Sequence, residues 1–130
     1  MGNLYESGEM HLETILKLSG IKKEIRSIDV VKEMGFSKPS VSVGMKKLRD
    51  GGYINMDKDG LITLTASGKE IATKIYERHQ VLSTLLMSLG VSSKTALEDA
   101  CRIEHDISDE TFEAVKKFLK LQPLSQDQVP

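Results

Sequence analysis

One cysteine, Cys101, is all that the 130 residues contain, so no internal disulfide can staple the fold. At this length none is needed, because a chain of this size buries a serviceable core by apolar contact alone. No stretch approaches the roughly 18 consecutive apolar residues of a membrane helix, which leaves no membrane partner to expect. The opening MGNLYESGEM has neither the basic region nor the apolar stretch of a secretory leader, and Glu6 stands where a myristoylation signal wants Ser or Thr. A cytoplasmic protein with a reduced thiol is the expectation. A formal net charge of −1 gives no global attraction for nucleic acid, so any such site must be local. Gly-rich phosphate loops, an H-E-x-x-H pair, a Ser/His/Asp order and internal repeats are all missing, and with them the usual signs of an enzyme acting on a small organic substrate.

What is present begins with Leu12, Ile15 and Leu16 at i, i+3, i+4, which together with Tyr5 describe an amphipathic helix from about Leu4 to Ser19. Ser27 can cap a short helix through Val30, Val31 and Met34 that stops at Gly35. Ser37 can cap another, with Pro39 tolerated in its first turn and Val41, Met45 and Leu48 facing inward. That last segment, Lys38 to Asp50, holds Lys38, Lys46, Lys47 and Arg49 against Asp50, the local positive charge that the whole chain lacks. By charge alone it is equally a solvated helix face.

The period then changes. YINM and LITLT flank Lys58-Asp59-Gly60, a hairpin signal. A long helix follows with Ile71, Ile75, His79, Leu82, Leu86 and Leu89 on one stripe, ended by Gly90. Another starts at Ser92 or Ser93 and carries Leu97, Ala100, Cys101 and Glu104; a last one is capped by Ser108 and runs through Phe112, Val115 and Leu119. Two short helices, a tight turn and a hairpin make a winged helix-turn-helix, and the LTxxG pattern of LTASG resembles what many bacterial winged-helix regulators carry after the wing. The expected fold is mostly α, with a DNA-binding domain over 1–72, a helical domain over 73–121 and a flexible tail over 122–130.

Cys101, Glu104 and His105 would sit on a helix at 0°, about 300° and about 40°, a single arc. Thiolate, carboxylate and imidazole all bind divalent transition metals, and the thiolate disfavours calcium and magnesium. Three donors leave a shell incomplete. The spacing alone is equally satisfied by a cysteine acting as a small buried hydrophobe, by His79 as a core histidine and by Met10 as packing.

The order EMHLETILKL, winged helix-turn-helix, YERHQVL, EDACRIEHDISDE resembles the diphtheria toxin repressor family of metal-dependent regulators, from about Tyr5 to Leu119. The resemblance implies a metal held by Met10, Cys101, Glu104 and His105, as in the iron-responsive members. Glu13 and His79 match ligands of a second metal in the manganese-responsive members. The residues at the iron-type ancillary site look like Ser83 and Leu97, so that site is not expected in its usual form. The second domain is then a metal-binding and dimerisation domain, and the chain stops where larger relatives continue into an SH3-like domain. The cofactor implied is a divalent transition metal, with Fe²⁺ favoured, Mn²⁺ next, and Co²⁺, Ni²⁺ and Zn²⁺ able to bind in vitro. The partners implied are a double-stranded DNA operator and a second copy of the chain in a homodimer.

On DNA, the resemblance points to Ser37 and Pro39 for bases or groove. Val43 stands where iron-type relatives carry Gln, and it can pack on a thymine methyl but cannot hydrogen-bond a base. Ser40, Ser42, Lys46, Lys47 and Arg49 are candidates for phosphates, and Lys38 is a further candidate for DNA contact. Metal would fix each DNA-binding domain against the dimer core. Two rival readings are a winged-helix regulator sensing oxidants through Cys101, and a small metallohydrolase using Glu104 or Glu13 as base. Anaerobic titration with cobalt(II) is expected to produce a saturable near-ultraviolet thiolate-to-metal band that is lost in Cys101→Ser; no band in the parent protein would remove Cys101 from the donor set.

Overall fold

A computed structural model describes residues 6–120. The chain runs α1 (Glu6–Ser19), α2 (Ser27–Met34), α3 (Lys38–Asp50), β1 (Ile54–Met56), β2 (Ile62–Leu64), α4 (Ala66–Ser88), α5 (Ser93–Ile103) and α6 (Asp109–Lys120). This is the mostly helical, winged helix-turn-helix-first architecture read from the sequence. The expected helix start at Leu4, the contribution of Tyr5 and the tail over 122–130 lie outside the described residues. Two compact units part between Thr73 and Lys74, inside α4.

In the first unit α1, α2 and α3 pack on one another, and α3 packs on β1. Leu12, Ile15 and Leu18 of α1 are buried, as are Val30 of α2 and the expected stripe Val41, Met45, Leu48 of α3. Ser27 is not the cap of α2 but its first residue; the cap position is Arg26. Asp29, at the third helical position, reaches back so that its carboxylate accepts the Arg26 backbone N–H at 2.9 Å, which fixes Arg26 as the cap residue. Gly35 closes α2 in the left-handed conformation, φ +72°. Ser37 caps α3 as expected, its hydroxyl accepting from the Ser40 N–H at 3.3 Å.

His11, to which the sequence reading gave no role, is buried. Its Nδ1 donates to the Ser7 carbonyl, and its ring stands edge-on to Phe36 with centroids 6.0 Å apart. A Cβ added at Gly44 would lie 3.0 Å from His11 Nε2. This close approach explains a glycine in mid-helix, where it costs about 1 kcal/mol relative to alanine.

The wing is antiparallel, pairing Ile54 with Leu64 and Met56 with Ile62. Asp57 shapes its turn by accepting from the N–H groups of Asp59 and Leu61, both at 2.9 Å. On the other edge of β2, Ile62 N–H donates to the Ile25 carbonyl at 2.7 Å. The LTxxG pattern has a local cause. Thr65 Oγ1 donates to Gly52 O at 2.7 Å and accepts from Gly68 N–H at 3.1 Å, while Thr65 N–H donates to Tyr53 O. A Cβ at Gly68 would fall 2.0 Å from that Tyr53 carbonyl oxygen.

The second unit holds the rest of α4 with α5 and α6. The buried stripe of α4 departs from the expected one. Ile71, Ile75, Arg78 and Leu82 are buried, whereas Leu89, past the end of α4, is 69% exposed. Positions 71, 75, 78 and 82, spaced four, three and four, follow the 3.6-residue period more closely than a row through 79 does. On α5 the buried residues are Ala96 and Ala100, and Leu97 is exposed. Ser92 caps α5 and Ser108 caps α6. Phe112 is buried in α6, with the Arg78 guanidinium 5.3 Å and the Lys116 ammonium 5.4 Å from its ring centroid. Lys116 also pairs with Glu77 on α4 at 3.0 Å, a contact that raises the lysine pKa.

Gly68→Ala is expected to destabilise the first unit by at least about 1–3 kcal/mol, the usual penalty of overpacking, because the obstructing atom is backbone. Urea unfolding measures it, and a midpoint equal to the parent's would contradict the account of the LTxxG glycine.

Candidate functional site

The nucleic-acid candidates are arranged on α3 by its inward stripe. With Val41, Met45 and Leu48 buried, Ser37, Lys38, Pro39, Ser40, Ser42, Val43, Lys46, Lys47 and Arg49 are all exposed. Val43 is 55% exposed, so its methyl groups are free to meet an apolar surface. Pro39, Ser40, Val43 and Lys47 line a shallow groove of about 610 Å³ together with Phe36 and His11. Neither Phe36 nor His11 was among the sequence-derived candidates. The signal for both was weak, since a lone histidine on an amphipathic helix reads most simply as core.

The metal candidates divide between the two units. Met10 and Glu13 lie on α1, Met10 partly exposed and Glu13 buried, with Lys17 Nζ 3.9 Å from a Glu13 oxygen. His79 lies on α4. Cys101 occupies the last turn of α5 and is partly exposed.

Glu104 and His105 are not on the helix, as the single-arc argument assumed. The helix ends at Ile103, Glu104 is its C-cap with φ −58° and ψ −23°, and His105 follows in the turn. The backbone of Glu104 keeps helical dihedrals, and its N–H still donates to Ala100 O, so the side chain continues the helical course for one more residue. The chain must then reverse into α6.

Within the second unit the Glu104 carboxylate has no exposed surface. His79 Nδ1 lies 3.2 Å from its Oε2 and His105 Nε2 lies 3.4 Å from its Oε1. Neither contact has hydrogen-bond geometry, and both Glu104 oxygens and His79 Nδ1 are buried without a hydrogen-bond partner. Leaving a buried carboxylate in that condition costs several kcal/mol. Two ligand atoms each about 2.1 Å from a shared ion, at tetrahedral or octahedral angles, stand roughly 3.0–3.4 Å apart. Each separation is of that size, so each imidazole, taken with the Glu104 oxygen that it faces, fits the coordination of a divalent transition metal, the two contacts being to different oxygens. At the two positions looked to for an ancillary site, the Ser83 hydroxyl is engaged by the His79 carbonyl at 2.5 Å, and Leu97 is exposed and apolar.

Arg78, one residue before His79, was not a sequence-derived candidate. Its Nη1 donates to the carbonyls of Glu104 at 3.2 Å and Ile107 at 2.7 Å, and its Nη2 to Asp109 Oδ1 at 2.5 Å. An available signal was that a charged residue fell on the apolar row 71, 75, 78, 82. Lys74 reaches the same Asp109 oxygen at 3.0 Å. Hydrogen bonds from Lys74, and next from Arg78, hold the Asp109 carboxyl below the ordinary value of 3.8.

The chain is similar to several known proteins. Residues 3–61 match the family model described as iron dependent repressor, N-terminal DNA binding domain, and residues 65–123 match iron dependent repressor, metal binding and dimerisation domain. The transcriptional regulator MntR of Escherichia coli O157:H7 is 36% identical over 108 residues, covering 83% of this chain and 70% of MntR. An uncharacterized HTH-type transcriptional regulator of Methanocaldococcus jannaschii is 36% identical over 117 residues, covering 88% and 94%. Among solved structures, the manganese regulator SloR superposes with a TM-score of 0.79 at 31% identity; the match covers 87% of this chain and 53% of SloR.

Because Asp109 titrates lower in the folded state than in the unfolded chain, its contribution to stability is complete above the unfolded value and disappears as pH falls through the lowered folded value. Acid unfolding followed by circular dichroism is therefore expected to show a loss below about pH 3.8 that is reduced in Asp109→Asn. Identical acid profiles for the two proteins would contradict the pairing.

Proposed function

Since this chain belongs to the family of metal-dependent transcriptional regulators that includes MntR and the diphtheria toxin repressor, we propose that it is a repressor of metal-uptake and homeostasis genes, binding a palindromic operator as a homodimer when loaded with a divalent transition metal. The observation that carries the metal dependence is the buried Glu104 carboxylate facing two imidazoles with no hydrogen bond to either oxygen. We assign metal binding to Cys101, Glu104, His105 and His79 in the helical unit, and to Met10 and Glu13 on α1 on the strength of the sequence resemblance. Ferrous iron is the favoured ion, because thioether and thiolate donors suit it; manganese comes next, being the metal named for SloR.

A bound divalent ion would supply positive charge beside the buried carboxylate and the two imidazoles. Glu104 and His105 then hold one orientation of the turn between α5 and α6. α1, which carries Met10 and Glu13, packs on α3, so metal held by those two residues would be felt by α3. On α3, Lys38, Ser40, Ser42, Lys46 and Lys47 contact phosphates and set register, while Ser37, Pro39 and Val43 face bases. Two α3 helices of a homodimer would reach major grooves about 34 Å apart. Switches of this kind typically couple ligand to DNA by about 1–3 kcal/mol, or about 5- to 150-fold in affinity.

Glu104→Ala is expected to abolish metal-stimulated binding to an operator selected in vitro with the loaded parent protein, while circular dichroism keeps the parent's helical signal. Fluorescence anisotropy with and without manganese or anaerobic ferrous iron gives the answer. Metal stimulation as large as the parent's in that variant would sink the proposed switch.

A further inference from the structure

We infer that Arg78 is a positioning residue for the metal centre: its guanidinium holds the main chain of Glu104 so that the Glu104 carboxylate faces His79 through one oxygen and His105 through the other. The inference rests on the donor reading above and extends it to a residue that touches no metal. Arg78 and His79 are consecutive on α4 and treat the same partner differently. His79 faces the carboxylate of Glu104 at 3.2 Å, while Arg78 Nη1 takes the carbonyl of Glu104 at 3.2 Å.

The same Nη1 donates to Ile107 O at 2.7 Å, so one nitrogen clasps both ends of the turn that contains His105. Nη2 binds Asp109 Oδ1, fixing the turn's far end at the first residue of α6. The guanidinium is buried under the Phe112 ring, and its side chain is 8% exposed. A buried arginine costs more than an apolar residue at a helix-stripe position unless its donors are taken up. Here Nη1 and Nη2 are used on two carbonyls and a carboxylate, all within the six-residue stretch 104–109, while Nε is buried without a hydrogen-bond partner.

The carbonyls at the end of α5 have no intrahelical donor to receive, and Glu104, as the C-cap, is among them. Without Arg78 the turn would seek other partners for these oxygens. Glu104 and His105, which depend on that turn for direction, would then lose their common aim. Residues that orient metal ligands in this way typically change affinity by about 10- to 100-fold when removed.

The test is anaerobic cobalt(II) titration of the full-length reduced protein, reading both the dissociation constant and the visible d–d band, with apo-protein melting recorded alongside. Arg78→Met keeps an unbranched apolar stem on the α4 stripe and removes every donor. It should weaken cobalt binding about 10- to 100-fold and alter the band. Arg78→Lys retains the cation but not the fork and should fall between it and the parent. Asp109→Asn, which weakens only the Nη2 anchor, should give a smaller loss.

A role confined to fold stability predicts lowered apo melting in all three with parental affinity and band once folded, and that result would overturn the inference. Should Arg78→Met fail to fold, Arg78→Lys and Asp109→Asn decide it by the same two readouts. Glu104→Gln separates the layers. Lost binding there with parental binding in the Arg78 variants overturns the positioning role alone; parental binding in Glu104→Gln removes the donor reading and this inference with it.

Discussion

A carboxylate with no exposed surface, flanked by two imidazole nitrogens and hydrogen-bonded by neither, is the constraint on which the helical unit is organised. Ionised, Glu104 is held where water cannot reach it, and such a charge is expensive unless an opposite charge arrives. The unit nonetheless puts substantial structure behind that placement. α5 is capped at Ser92, ends at Ile103, and delivers Glu104 at its C-cap; Arg78 fastens the Glu104 carbonyl; Ser108 starts α6 again five residues after α5 ends. An interior that spends a buried arginine and a buried glutamate within one turn of chain is arranged for a ligand rather than for maximal stability.

The DNA-binding unit depends on close approaches instead of buried charge. Its wing is joined to α4 by Thr65, and Gly68 passes so near the Tyr53 carbonyl that no side chain fits. Its α3 touches the His11 ring at Gly44. The second of these contacts lies on the helix whose exposed face carries Lys38, Lys46 and Lys47. A net charge of −1 for the whole chain is compatible with that face because the positive residues are concentrated where the inward stripe leaves them, and not distributed.

Much of this was legible in one dimension. The inward stripe Val41, Met45, Leu48, the caps Ser37 and Ser108, the hairpin around Gly60 and the left-handed Gly35 follow from periodicity and from local backbone chemistry, which act within a few residues. The motif containing Cys101, Glu104 and His105 was visible as a spacing. Its assumed continuous helix was wrong at Glu104, because helix ends are decided by where the chain must go next and by what receives the last carbonyls. The cap of α2 lies not at Ser27 but at Arg26, where the Asp29 carboxylate reaches back to the Arg26 N–H.

The sequence by itself determined the elements, the winged helix-turn-helix order, the exposed basic face of α3 and the candidate donors, since each rests on spacing, capping or charge within a short segment. Only the tertiary structure decided that Arg78, not His79, fills the buried row of α4, that Glu104 is wholly buried between His79 and His105, and that His11 and Gly44 meet. Those facts join residues 25 to 33 positions apart. Which distant groups satisfy a buried charge or fill a missing Cβ is set by how helices pack, and no local pattern carries that information.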